Sequence, residues 1–324
     1  MISKKVYVCC PGNGVTGGPE LLHQFVDSLR KKNIDAYIIY CPLTEKFTIP
    51  DVYTCYQAPC VNYSDTNFDN SIVVIPEIFT GLSKHFKSAQ VVIWWLSVDF
   101  YFDYTGNSPT KEYFKDKIKL KNKKKIKIDK LKSYKHYVQS EYARLFLLKN
   151  SIDSSFLTDY LGSTHLNQPY VDNKKENIIA YNPKKGIKFT QYIISTCKDY
   201  KFIPIQNMSP DEVRTLLLKT KIYIDFGNHP GKDRFPREAV MAGCCIITGL
   251  RGSAGNNVDI PIPEKYKIDE NKTNSIDLFI EMVDAIFDDY ENISKDFDDY
   301  RRIVSNEPLA FDEQVLRFIK DVVV

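Results

Sequence analysis

Short, uninterrupted apolar runs recur along this chain, each closed by a turn-prone segment and most leading into a helix-like stretch; that rhythm leaves few folds open. KVYVCC (5–10), DAYIIYCP (35–42), SIVVIPE (71–77), QVVIWWLSV (90–98), KIYIDFG (221–227) and CCIIT (244–248) have strand length and are apolar at nearly every position. A strand with one wet face would alternate. A continuous run needs cover on both faces, as parallel strands between helical layers have. Between the first two runs PGNGVTGG (11–18) breaks the chain, and Leu21, Leu22, Phe25, Val26 and Leu29 then recur at helical spacing. HYVQSEYARLFLLKN (136–150) repeats the order, with Ser140 placed to cap a helix and Glu141 beside its positive end. The pattern predicts an α/β chain built from Rossmann-like units.

A chain of 324 residues exceeds one ordinary core and suits two domains. The polar stretch NQPYVDNKKEN (167–177) is the expected linker, and the alternation restarts at NIIAYN (177–182) and continues through FIPIQ (202–206). On this reading residues 1–168 form an amino-terminal Rossmann-like domain and 169–305 form a second. Residues 306–324 are a terminal helix returning to the first domain. SIDLFIEMVDAIFDDY (275–290) sets Ile276, Phe279, Ile280, Val283, Ile286 and Phe287 on one helical stripe. The eight cysteines form no CxxC pair, so buried thiols in a reducing cytoplasm are expected rather than a disulfide framework. MISKKVYVCC lacks the pattern of a cleaved leader, and no run has the length of a membrane span. A net charge of +3 is too small to argue for nucleic-acid binding.

Chemistry concentrates in HPGKDRFPREAVMAGCCIITGLRGSA (229–254). It reads as a loop after the KIYIDFG strand, a helix opened by Glu238 and stopped by Gly243, and another strand. In open parallel sheets ligands collect where loops leave the carboxyl ends of strands, and this loop carries His229, Lys232, Asp233, Arg234 and Glu238. Lys232 and Arg234 suit a diphosphate, while Arg237 is expected to be structural. GLRGSAG (249–255) offers Gly252 and Ser253 as small residues and amides for a phosphate or sugar, although a plain surface loop would want the same glycines.

FPREAVMAG (235–243), NPKKG (182–186), TGGPELLHQ (16–24) and YVQSEYAR (137–144) together resemble the GT-B glycosyltransferases, particularly the retaining family-4 type. The resemblance implies two Rossmann-like domains facing across a cleft, a nucleotide sugar as donor substrate, no cofactor, no bound metal and retention of anomeric configuration. Glu238 matches the residue that binds the donor ribose. Lys185, beside Asn182 in NPKKG, matches a lysine on the donor diphosphate; the family's partner arginine is Ala180 here. Gly17 and Gly18 match the amino-terminal glycine loop. The family's second glutamate, eight positions before Glu238, is Pro230 here, and Asp233 is the nearest acid to replace it. The acceptor expected is a glycan or lipid-linked glycan, as in bacterial surface-polysaccharide synthesis.

WWLSVDFYFDY (94–104) ends a strand on the acceptor side, and Ser97, Asp99 and Tyr101 are its polar or sugar-stacking groups. Asp99 is read either as a base orienting the acceptor hydroxyl or as a helix-cap carboxylate. KDKIKLKNKKKIKIDKLK (115–132) interleaves lysines with isoleucine and leucine and suits either a solvated face or an anionic membrane surface. His23, His85, His136 and His165 show no metal-ligand spacing. Two other functions remain open. GNGVTG (12–17) literally matches a nicotinamide dinucleotide loop, although the second strand ends Tyr40, Cys41, Pro42 without the acidic ribose anchor. A transferase fold that binds sugar nucleotides without catalysis is the other.

Overall fold

The computed structural model describes residues 4–12, 14–102, 125–166 and 175–323. The chain forms two compact units, Met1–Tyr160 with Pro308–Val324, and Leu161–Glu307. The expected boundary at Gln168 and most of the expected linker lie outside the described residues.

In the first unit β1 (Val6–Pro11), β2 (Ala36–Cys41), β3 (Ile72–Pro76), β4 (Gln90–Trp95), β5 (Lys135–Val138) and β6 (Ser155–Phe156) form one sheet in the order β2-β1-β3-β4-β5-β6. Every pairing is parallel. The continuous apolar runs are explained by the period of two. Val6, Val8, Cys10, Val74, Val92 and Trp94 face one core with Leu21, Phe25 and Leu29 of α1 (Gly17–Lys31). Tyr7, Cys9, Val73, Ile75, Ile93 and Trp95 face another. That second core contains Tyr101 of α2 (Val98–Phe102) and Ala143 and Leu147 of α3 (Glu141–Lys149). Full burial of each such side chain contributes about 1.5–3 kcal/mol, so neither helical layer is dispensable. Ser140 caps α3 as its position predicts, accepting from the Ala143 N–H at 3.2 Å.

Trp94 and Trp95 are core residues rather than a sugar platform. Trp94 donates its indole N–H to the Leu157 carbonyl at 2.9 Å, and Trp95 donates to His136 Nδ1 at 3.0 Å. His136 Nε2 then donates to the Leu131 carbonyl at 2.9 Å, so the imidazole is fixed as its neutral tautomer; burial, the largest influence, also lowers its basicity.

The second unit has β7 (Glu176–Tyr181), β8 (Lys201–Pro204), β9 (Thr220–Asp225) and β10 (Cys245–Thr248) in the order β10-β9-β7-β8, again all parallel. Its helices include α4 (Ser163–Leu166), α5 (Ile187–Thr196), α6 (Pro210–Lys219), α7 (Arg234–Met241), α8 (Ser275–Asp288) and α9 (Asp298–Ser305). Ser209 and Glu212 close a capping box on α6, with Pro210 at the first helical position. Phe279, Val283 and Ile286 of the expected stripe are fully buried against the sheet. The terminal helix α10 (Glu307–Phe318) supplies Phe311, Val315 and Phe318 to the core of the first unit. Among the described residues no helix is long and apolar enough to cross a membrane.

One expectation is corrected. Glu238 does not open its helix: α7 begins at Arg234 with Asp233 at the N-cap, and Glu238 lies in the second turn. Pro236 is tolerated in the first turn because the N–H it lacks has no acceptor within the helix there. Gly243 ends the helix as predicted, at φ +88°, a conformation in which glycine pays no steric penalty.

Candidate functional site

The chain leaves β7 for β8 on one side and returns to β9 on the other, so the second unit has a topological switch point between β7 and β9. Loops from the carboxyl ends of two such strands diverge there and leave room for a ligand. The loop after β7 is NPKKG, whose Asn182 is buried and accepts the Lys184 N–H at 3.0 Å, a turn that sets the path of Lys185. The loop after β9 is FGNHPGKD. The two interlock: Gly186 stands at φ +57°, where a Cβ would lie 2.3 Å from the Phe226 backbone, and a Cβ on Gly227 would lie 2.2 Å from that of Lys185.

This close approach brings Lys185 to Asp233, with Nζ 2.6 Å from Oδ2. Behind them the charges alternate. His229 Nδ1 is 2.9 Å from Asp233 Oδ2, and His229 Nε2 is 3.6 Å from Asp225 Oδ1. Asp225 is fixed at the end of β9 by the Tyr223 hydroxyl at 3.1 Å and the Gly227 N–H at 2.9 Å. Burial by itself would raise the Asp233 carboxyl, but the adjacent His229 ring and the Lys185 ammonium hold it down at about 2. Burial likewise opposes a charged His229, and Asp225 followed by Asp233 outweigh it and raise the imidazole above its ordinary value.

The loop after β10 buttresses this arrangement. Gly252, at φ +65°, abuts His229 so closely that a Cβ would sit 2.0 Å from its carbonyl oxygen. Ser253 donates its N–H to that carbonyl at 2.8 Å and its hydroxyl to the Gly231 carbonyl at 2.6 Å. Gly252 and Ser253 therefore shape the loop that carries Lys232 and Asp233.

On α7, Arg234 Nε lies 3.2 Å from Glu238 Oε1, and His165 of α4 stands 3.9 Å from the same oxygen. Arg237, fully buried, donates to Glu307 Oε2 at 2.9 Å and to the carbonyls of Asp233 and Lys232 at 3.2 Å each. Lys232 Nζ meets the other Glu307 oxygen at 2.8 Å. Lys185, Lys232, Asp233, Arg234 and Glu238 are thus gathered on two loops and one helix.

Donor atoms of Asp225, His229 and Asp233 lie within 4.8 Å of one another, a spacing open to a metal ion. The chemistry of the set argues otherwise. An ammonium already lies on Asp233, and Asp225 already accepts two hydrogen bonds, so the residues fit an ion-pair chain better than a ligand sphere.

In the first unit the switch point falls between β1 and β3. Gly17 and Gly18 begin α1 there, and a Cβ on Gly18 would meet nothing within 4 Å. Tyr53 pins the loop, its hydroxyl lying 3.1 Å from both the N–H and the carbonyl of Thr16. Ser97 accepts the Phe100 N–H at 3.2 Å, as a cap of α2 does. Asp99 is buried and accepts from the Tyr142 hydroxyl at 3.2 Å. Tyr101 is buried, with its hydroxyl donating to the Ile126 carbonyl at 2.5 Å. Glu77, which no motif singles out, lies 2% exposed just beyond β3 and accepts the Leu96 N–H at 2.8 Å. Of the lysine-rich run, residues 115–124 lie outside those described; Lys127, Lys130 and Lys132 are exposed, and Leu131 is buried.

Sequence reasoning placed His229 in the site without a role and missed Asp225, Glu307 and Glu77. The available signals were an aspartate ending an apolar strand, the four-residue spacing of Asp225, His229 and Asp233, and a glutamate closing SIVVIPE.

No family model and no curated protein matches the chain. Solved structures do. HepE of Anabaena, solved with UDP-glucose, is similar over 98% of this chain and 99% of its own, at 9% identity and a TM-score of 0.65. The chain has a GT-B fold. The same GT-B architecture appears in a glycosyltransferase of Rickettsia africae, at 13% identity, 98% of each chain and a TM-score of 0.62. Sucrose-phosphate synthase of Thermosynechococcus elongatus shows it at 9% identity, 98% of each chain and 0.65. Identities this low establish the GT-B fold and leave the chemistry to the residues.

Proposed function

We propose that this protein is a glycosyltransferase that binds a nucleotide-sugar donor in its second unit. The observation that carries this reading is the convergence of Lys185, Asp233 and the α7 residues Arg234 and Glu238 around the β7/β9 switch point of a GT-B fold. Lys185 and Arg234 meet the diphosphate and Glu238 takes the ribose hydroxyls, while Lys232, expected on the phosphates, holds Glu307 behind the loop. Asp233 faces the transferred sugar in the role left by Pro230. Lys185 and Arg234 stabilise the departing diphosphate without a bound metal, by charge and hydrogen bonding aimed at where negative charge develops. Transfer retains anomeric configuration, and Asp99 in the first unit orients the acceptor hydroxyl beside Ser97 and Tyr101.

The test is calorimetric titration of UDP, ADP and GDP and their glucose conjugates. Replacing Glu238→Ala should weaken the nucleotide that binds by about 1.5–3 kcal/mol, the worth of hydrogen bonds to a charged group, and leave the unfolding temperature within a few degrees. An unchanged dissociation constant removes Glu238 from the site.

The acceptor side of the reading is a glycan or lipid-linked glycan in surface-polysaccharide synthesis, with the lysines of 115–132 resting on an anionic leaflet. Each lysine near such a surface contributes about 1 kcal/mol. Changing Lys121, Lys123, Lys124, Lys125 and Lys127 to Gln should abolish salt-sensitive cosedimentation with phosphatidylserine vesicles and leave nucleotide affinity unchanged. Sedimentation that survives the change puts the contact elsewhere.

A further inference from the structure

The row of charges Asp225, His229, Asp233 and Lys185 is closed at one end and open at the other. The side chains of Asp225 and His229 are 1% and 0% exposed; those of Asp233 and Lys185 are 18% and 31% exposed. The inner members are immobilised from every side: Asp225 by Tyr223 and Gly227, and the His229 backbone by Ser253 and by the missing Cβ of Gly252. Lys185, on a flexible stem at the solvent end, is the member able to exchange partners. The other charges around the row are committed nearby: Lys232 and Arg237 on Glu307, and Arg251 on Glu270.

A phosphate that draws Lys185 away leaves Asp233 behind as a largely enclosed carboxylate, which is costly unless a second cation remains. His229 is that cation. We propose that His229 is a positioning residue for Lys185: clamped between Asp225 and Asp233, its imidazolium keeps the Asp233 carboxylate ionised and in place whether Lys185 rests on it or has moved to a donor phosphate. The proposal rests on the nucleotide-sugar reading above. It adds that a fixed carboxylate and the donor phosphate compete for one lysine, and that a buried proton on His229 sets the terms of the exchange. With a neutral His229, Asp233 depends on Lys185 alone and holds it against the phosphate.

The consequence is an alkaline limb in nucleotide affinity. Asp225 and Asp233 favour the charged ring and Lys185 opposes it, with the balance toward charge, so the limb lies above the ordinary histidine range. Calorimetry with UDP, ADP and GDP from about pH 7 to about pH 9 should show the wild-type affinity falling with pH. His229→Gln keeps an N–H for Asp233 and removes the charge. It should bind about tenfold more weakly at neutral pH, with a flat profile. Asp225→Asn, which leaves the histidine and loosens its charge, should move the limb to lower pH and carries the test if His229→Gln does not fold. A merely structural histidine would lower the unfolding temperature and leave the pH profile of binding unchanged. If wild type binds a nucleotide and His229→Gln matches it in affinity and profile, the positioning role is wrong and the transferase reading stands. If wild type binds none of the three, the transferase reading falls first.

Discussion

Arg237→Ala should lower the free energy of unfolding by about 3–5 kcal/mol, the range for breaking a buried ion pair from one side. The guanidinium is fully enclosed and serves three acceptors, Glu307 and the carbonyls of Lys232 and Asp233. Its removal leaves the Glu307 carboxylate to its ion pair with Lys232 and frees two carbonyls of the loop that carries the site. Urea unfolding of wild type and variant measures the loss. Adding Glu307→Leu to Arg237→Leu should recover part of it, since removing both charges leaves no buried carboxylate. A loss below about 1 kcal/mol would mean that water reaches the pair, as at an ordinary surface ion pair.

Glu77→Gln should have the opposite sign above neutral pH. Burial, opposed by the N–H groups of Leu96 and of Glu77 itself and by Lys125, pushes this carboxyl from 4.5 up to about 7. A folded-state value raised above the unfolded one means that the native state holds the proton through that window while the unfolded chain has released it. The neutral carboxyl thus contributes stability that is complete below about pH 4.5 and is lost as the pH rises toward 7. At 1.36 kcal/mol for each pH unit of the window, the loss approaches about 3 kcal/mol. Glutamine stays neutral and still accepts the Leu96 N–H, so the variant should match wild type near pH 4.5 and exceed it in stability at about pH 8. Urea midpoints at a series of pH values decide it; curves that run parallel would show Glu77 titrating as an exposed carboxylate.

What the sequence alone determined is the local part of this structure. The apolar runs at 5–10, 71–77 and 90–98 are legible as doubly covered parallel strands because burial of both faces is written into consecutive residues, and the two opposed cores behind Val8 and Cys9 bear that out. Ser140 and Gly243 were legible for the same reason, since a cap is chosen by its own few neighbours. Even within one segment a local rule misplaced the start of α7. A charged first turn that contains Pro236 reads as loop, and tertiary packing of Arg237 and Val240 makes it helix. The site belongs to the other class. Lys185 and Asp233 are 48 positions apart and Arg237 and Glu307 are 70 apart. Each of these side chains read alone is an ordinary surface charge. Strand order set the two loops side by side, and the interlocked Gly186 and Gly227 set their distance. Burial then made partners of charges that water would otherwise have kept apart, and that choice is made only when the chain closes on itself.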